Sequence, residues 1–151
     1  MVISDVITLA AVVVALAVGV GSLLQTLCIQ KKQYKERLLN EIIEWAKISA
    51  ESAIHRRKTD NDELWKAKSN YKYCLAQTPY ITVVADSAFP EITSFVKLVD
   101  GALKNTKKCT NDLLENYLEE NHQKMKNSEN ELTDAVVKLL EESARIRLRI
   151  E

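Results

Sequence analysis

Glu119 and His122 stand three residues apart, the interval at which two side chains share one helical face and can ligate a single metal ion. Together they match half of a di-iron carboxylate site, which needs two such pairs and two further glutamates inside a bundle. The other histidine is His55, four residues after Glu51, and that motif does not use this spacing. The heptad register turns Tyr117 and residues 120–121 inward and leaves Glu119 and His122 on the flank. A solvated helix face is therefore expected here, with no metal.

Cys28, Cys74 and Cys109 contain no C-x-x-C pair, so the usual signatures of zinc and thioredoxin-like chemistry are missing. Cys74 and Cys109 fall on apolar stripes, where thiols are commonly structural. An odd, widely spaced set of three fits a reducing compartment better than a disulfide framework. Gly101 is the single glycine beyond the N-terminal apolar run, which leaves no glycine-rich loop to cradle a phosphate. Trp45 and Trp65 read as core or edge residues rather than a ligand box. The expectation is a chain with no catalytic residues, no cofactor and no enzymatic activity.

These side chains must be carried by elements, and composition restricts the elements to helices. The chain has 151 residues with only three glycines and two prolines, so long structureless linkers are disfavoured. Lys and Arg balance Asp and Glu at 21 each, and this mixed-sign chain carries no electrostatic footprint for nucleic acid.

From Val6 to Ile29 the chain reads VITLAAVVVALAVGVGSLLQTLCI, without one charged residue. As a helix this run is about 36 Å long, enough to cross a hydrocarbon core of roughly 30 Å with some tilt. A buried core helix is the plainer alternative. A cleaved signal peptide is another, with Ala17, Gly19 and Gly21 able to mimic a cleavage site. The leading residues MVISD lack the basic region such a peptide wants, and Leu27 before Cys28 argues against a lipoprotein. The run is expected to be one transmembrane anchor within residues 1–30.

The flank beyond it holds Lys31, Lys32, Lys35 and Arg37 against Glu36. The positive-inside rule then places the N-terminus outside and residues 31–151 in the cytoplasm. Each basic residue near an anionic leaflet contributes about 1 kcal/mol, so the cluster fixes topology; regulation by lipid is the sharper reading of the same residues. Tyr34 suits an interfacial anchor. Within the run, Ala15 with Gly19 and Ala17 with Gly21 have the spacing of a helix-dimerisation face, although ordinary span composition explains them too. Cys28 at the boundary is a candidate for acylation.

No Gly or Pro separates the run from residues 31–55, where Leu39, Ile42, Ile43, Ala46, Ala50, Ala53 and Ile54 keep helical spacing. One helix is expected from about residue 5 to 56, its post-membrane part spanning 31–56, with Arg56, Arg57 and Lys58 favouring its C-terminal dipole. Asp60-x-x-Glu63 resembles a capping box and opens a helix over 61–77 that Pro79 closes. A short helix starting at Thr78-Pro79 comes next. Ile92, Val96, Val99, Leu103, Thr106, Thr110, Leu113 and Tyr117 keep a 3.5-residue period and predict one helix over 90–124. Asn127-Ser128 then breaks the chain, and Ser128-x-x-Glu131 caps a last helix over 128–150. In that helix Leu132, Val136, Leu139, Ser143, Ile146 and Ile150 hold heptad spacing, and Leu132, Val136, Leu139, Ile146 and Ile150 form the expected interaction face.

The expected fold is all-α: a single N-terminal transmembrane helix continuing into a cytoplasmic antiparallel helical bundle with a long helical hairpin. The functional expectation is a single-pass membrane adaptor or scaffold that binds a protein partner or a second copy of itself. Its rivals are a membrane-proximal lipid- or ligand-sensing module and, from a different class, a small helical enzyme or metal-binding protein using His122, Glu119 or Cys109.

Overall fold

The computed structural model describes residues 2–54 and 61–150. Among them every element is helical: α1 (Val2–Ile54), α2 (Asn61–Ala88), a single 3₁₀ turn (Pro90–Ile92), α3 (Thr93–Glu115) and α4 (Glu119–Ile150). The chain divides into two compact units, Met1–Glu36 and Arg37–Glu151. His55, the basic residues 56–58 and Asp60 of the expected capping box lie outside the described residues.

In the first unit α1 exposes its apolar side chains on all faces, from Val12 and Val13 through Leu16, Val20 and Leu24 to Leu27 and Ile29. It is long and apolar enough to cross a membrane, and none of its apolar window is buried. Its hydroxyls are satisfied within the helix: Ser22 Oγ donates to Gly19 O at 2.9 Å and Thr26 Oγ1 to Ser22 O at 2.8 Å. This local back-bonding leaves neither proton in need of water.

The second unit is built on matched stripes. On α2 a buried stripe runs through Leu64, Ala67, Tyr71, Cys74, Thr78, Ile81 and Ala85 in alternating steps of three and four, with Val84 beside it. On α3 the buried positions are Thr93, Val96, Val99, Leu103, Thr106, Thr110 and Leu113, and on α4 Met125, Ser128, Leu132, Val136, Leu139, Ser143 and Ile146. The C-terminal part of α1 adds Leu38, Leu39, Ile42, Trp45 and Ala46 to the same core. A smaller cluster of Leu64, Leu113 and Met125, with Cys109 and Leu114 against it, fills the end nearest the α3–α4 turn.

Side chains also tie the helices laterally. Trp45 Nε1 donates to Cys74 O at 3.0 Å, and Tyr71 Oη to Ser52 O at 3.4 Å. The Tyr80 hydroxyl donates to Glu41, and Arg147 meets Asn40. Thr106 Oγ1 lies 2.8 Å from Ala102 O and 3.1 Å from Ser128 O, within reach of its own helix and of α4.

Two boundaries differ from the sequence reading. Helix α2 does not close at 77: it passes through Pro79 and ends at Ala88, so no separate helix begins at Thr78-Pro79. An internal proline removes one backbone donor and crowds the carbonyl of the preceding turn. The carbonyl that loses its backbone donor is Leu75 O, and Pro79 itself lies exposed; Trp45 Nε1 and Thr78 Oγ1 both reach Cys74 O in the same turn. Phe89, buried and outside helical geometry at φ −144° and ψ 63°, makes the actual stop.

The second difference is the α3–α4 turn, which lies at residues 116–118 rather than Asn127-Ser128. Asn116 ends α3 in an extended conformation, φ −146° and ψ 107°. Asn121 Nδ2 donates to Asn116 O at 2.8 Å and reaches Asp112 O at 3.5 Å, reinforcing carbonyls that also accept from Leu118 N and Asn116 N. Ser128 caps nothing: it is buried inside α4, with Oγ donating to Met125 O at 2.7 Å. Tyr117, expected to face inward, stands exposed in the turn.

Leu139 is completely buried on α4. Its replacement by Ala is expected to lower the unfolding free energy by about 2–5 kcal/mol, measured by denaturant titration of the full chain in detergent with far-UV circular dichroism. A change below about 0.5 kcal/mol, the range of a surface substitution, would contradict the packing described.

Candidate interaction surfaces

The basic cluster lies on α1, with Lys31, Lys32 and Arg37 exposed and Lys35 half-buried. Arg37 Nε stands 3.5 Å from Glu41 Oε1. Ala15, Ala17, Gly19 and Gly21 are all exposed on α1, and a methyl group added at either glycine would meet nothing within 4 Å. Small residues of this kind let a second helix approach closely.

The heptad face of α4 has a different fate from the one expected. Leu132, Val136, Leu139 and Ile146 are buried, and Ile150 packs against the same core. That stripe is consumed inside the chain; the large apolar side chains α4 leaves outward are Val137 and Leu148. The reason is proximity: α4 begins only three residues after α3 ends, so the neighbouring helix covers the stripe first.

The residues with chemical potential do not converge. Glu119 is exposed and His122 half-buried, with the Tyr117 ring centroid 6.5 Å from the imidazole. No group of three or more His, Cys, Asp or Glu side chains lies together among the described residues. Glu51 is exposed; its expected companion His55 is outside the described residues. Cys109 is half-buried with Sγ 3.9 Å from Asn105 Oδ1, and Cys28 is exposed on the apolar part of α1. A hydrogen bond and ion pair at 2.6 Å hold the Glu120 carboxyl below its ordinary range and the Lys124 ammonium above its own.

Cys74 is fully buried between α1 and α2. Burial pushes its thiol above the ordinary value of 9.0, and hydrogen bonding from Ser49 and Ser52 opposes that shift only in part. A neutral, inaccessible thiol is a poor nucleophile, so this position is structural. A groove of about 750 Å³ runs between α2 and α3, lined among others by Thr78, Thr82, Lys104, Lys107 and Lys108. Lys104 is ion-paired with Asp100.

What the sequence reading missed is the outward face of α2. Two residues after each position of its buried stripe from Ala67 to Ala85 comes a second row: Ser69, Tyr73, Ala76, Tyr80, Val83 and Ser87, displaced by about 200° around the helix. Trp65 extends it towards the N-terminus. Trp65 is 59% exposed, Tyr73 58%, Tyr80 51% and Val83 65%. Lys68 Nζ sits 4.7 Å from the Trp65 ring centroid, a cation–π contact at the stripe's edge. The same 3.5-residue period marks both faces of α2, and continuity through Pro79 is what joins Trp65 and Tyr73 to Tyr80 and Val83.

Comparison with protein-family models, with curated proteins and with solved structures finds no match to this chain.

The Cys74 environment sets a pH dependence. Its thiol ionises at higher pH in the folded chain than in the unfolded one. Stability from this group is thus fully present below the ordinary thiol value and falls as pH rises towards the folded value. Denaturation midpoints measured between about pH 7 and about pH 10.5 should fall more steeply for the native chain than for Cys74→Ala. Equal slopes in the two proteins would contradict the assignment.

Proposed function

We propose that this chain is a single-pass membrane adaptor whose cytoplasmic helical bundle binds another protein through the outward face of α2. In this reading the apolar run of α1 is the anchor. Lys31, Lys32, Lys35 and Arg37 hold the residues beyond it on the cytoplasmic side, leaving the short N-terminal segment outside. No nucleic acid, cofactor or catalytic step enters it.

The supporting observation is an apolar row left in the open while the opposite face of the same helix is buried. An aromatic residue buries about 150–250 Å² when covered. More than half of each of Trp65, Tyr73 and Tyr80 remains exposed, so the three together offer roughly 250–400 Å². Val83 and Ala76 add to this. The largest patch on a typical monomer is about 300–600 Å² and is often functional. Trp and Tyr are also the residue types that dominate binding energy at protein interfaces, presenting large rigid area at low entropic cost. Ser87 makes the C-terminal end of the row polar, as an interface rim is.

A photo-crosslinking residue at Tyr73, in the full chain expressed in its native membrane, should capture a discrete partner. The triple substitution Trp65→Ser, Tyr73→Ser and Val83→Ser should weaken recovery of that partner by about thirtyfold or more, the equivalent of roughly 2 kcal/mol at a hot spot. Far-UV circular dichroism should be unchanged, since these side chains are outside the core. Capture that the triple substitution does not alter, or no discrete crosslinked species, would reject the proposal.

A further inference from the structure

The groove between α2 and α3 gathers more positive charge than its own carboxylates can match. Its lining sets Lys104, Lys107 and Lys108 against the single carboxylate of Asp100. Lys104 Nζ lies 2.5 Å from Asp100 Oδ2, so these two compensate each other. Lys107 and Lys108 enter no ion pair among the described residues. Lys107 is half-buried and Lys108 exposed.

Helical spacing makes this concentration of charge unfavourable on its own. Lys104 stands three residues before Lys107 and four before Lys108, the intervals at which like charges on a helix meet and repel. The facing wall does not answer with an acid: α2 contributes Leu75, Thr78, Pro79 and Thr82. Asn111 lines the same recess, and its shielded Oδ1 meets no donor among the described residues. The groove has a volume of about 750 Å³, within the range of small-molecule sites. From Leu75 to Thr82 it runs about 10 Å along α2, too short a track for a nucleic-acid strand.

We infer that this groove binds a phosphate monoester, with the phosphate on Lys104, Lys107 and Lys108 and the ester body over Leu75 and Pro79. A phosphate monoester carries roughly −1.5 to −2 charge at pH 7, which matches the two uncompensated ammonium groups. A carboxylate, with one charge, would leave one of them unmatched. Lysine binds phosphate as a point charge on a flexible stem, so three such stems converge on its oxygens without a fixed fork geometry. Thr82 brings a hydroxyl to the same wall. A rotation of the Asn111 amide presents its unsatisfied oxygen to a hydroxyl on the ester body. A soluble ester and a lipid headgroup share this chemistry, and the two arms of the experiment separate them.

The full chain in phosphatidylcholine nanodiscs is titrated with phenyl phosphate at constant ionic strength and followed by calorimetry, with lysine acylation read by mass spectrometry. Saturable binding should protect Lys107 and Lys108 and leave Lys97 and Lys138, which line the α3–α4 groove, at their native rates. Lys107→Gln with Lys108→Gln should weaken binding by about tenfold or more, whereas Lys97→Gln with Lys138→Gln should not change it. In the second arm, nanodiscs containing phosphatidic acid are compared with nanodiscs of equal charge containing phosphatidylserine. Protection of Lys107 and Lys108 by phosphatidic acid alone assigns the site to a lipid monoester; protection by phenyl phosphate alone assigns it to a soluble one. No protection in either arm, or binding that the Lys107 and Lys108 substitutions leave intact, would overturn the inference. The α2 triple substitution alters none of the lining residues and should leave this binding unchanged, so the site and the adaptor reading fail separately.

Discussion

The unit Arg37–Glu151 depends on the seam between α3 and α4. A three-residue connection forces these helices to be neighbours, and each presents buried positions at steps of three and four. Leu103 and Leu139 are fully buried there. The polar members of the seam do not weaken it. Thr110 and Ser143 donate to carbonyls one turn back at 2.7 Å each, and Thr106 can also reach across to Ser128 O. Buried hydroxyls satisfied in this way avoid the cost of an unpaired donor. Helix α2 and the end of α1 then cover what the hairpin cannot cover alone.

Burying that seam decides which surfaces remain for function. Once Leu132, Val136, Leu139 and Ile146 are committed to the core, α4 keeps only scattered apolar side chains outward, Val137 and Leu148 among them. The larger exposed apolar features are the apolar length of α1 and the aromatic row of α2. Water disfavours exposed apolar area by about 25 cal/mol per Å²; in the function proposed above a bilayer covers the first and a protein partner the second. The chemistry-bearing side chains show the opposite pattern. Cys74 is enclosed, Cys109 half-enclosed and Glu119 solvated, with no common focus.

The period of the apolar residues was readable along α3 and α4, because a hydrophobic stripe at helical spacing survives intervening lysines such as Lys104, Lys107 and Lys108. Chain breaks were less readable. Ser128 and Glu131 have the residue types of a capping box, yet the stop is made by Asn116 with a side-chain amide reaching back from Asn121, and no residue pair at standard spacing announces that. Pro79 misled in the other direction. Proline usually ends a helix, but α2 carries Pro79 at an exposed position and runs on to Ala88, where Phe89, buried outside helical geometry, makes the stop. Reading the helix as ended at 77 split the outward row of α2 in two and hid it. The α4 stripe was correctly recognised as apolar, while its role was decided by what packs against it, which periodicity does not report.

The central claim is an anchor with residues 31–151 on the cytoplasmic side, and protease protection in sealed, right-side-out membrane vesicles tests it most directly. A fragment containing residues 31–151 should stay with the membrane through an alkaline wash and resist digestion until detergent is added. Release of the full chain by the wash, or digestion of that fragment while the vesicles remain sealed, would contradict it.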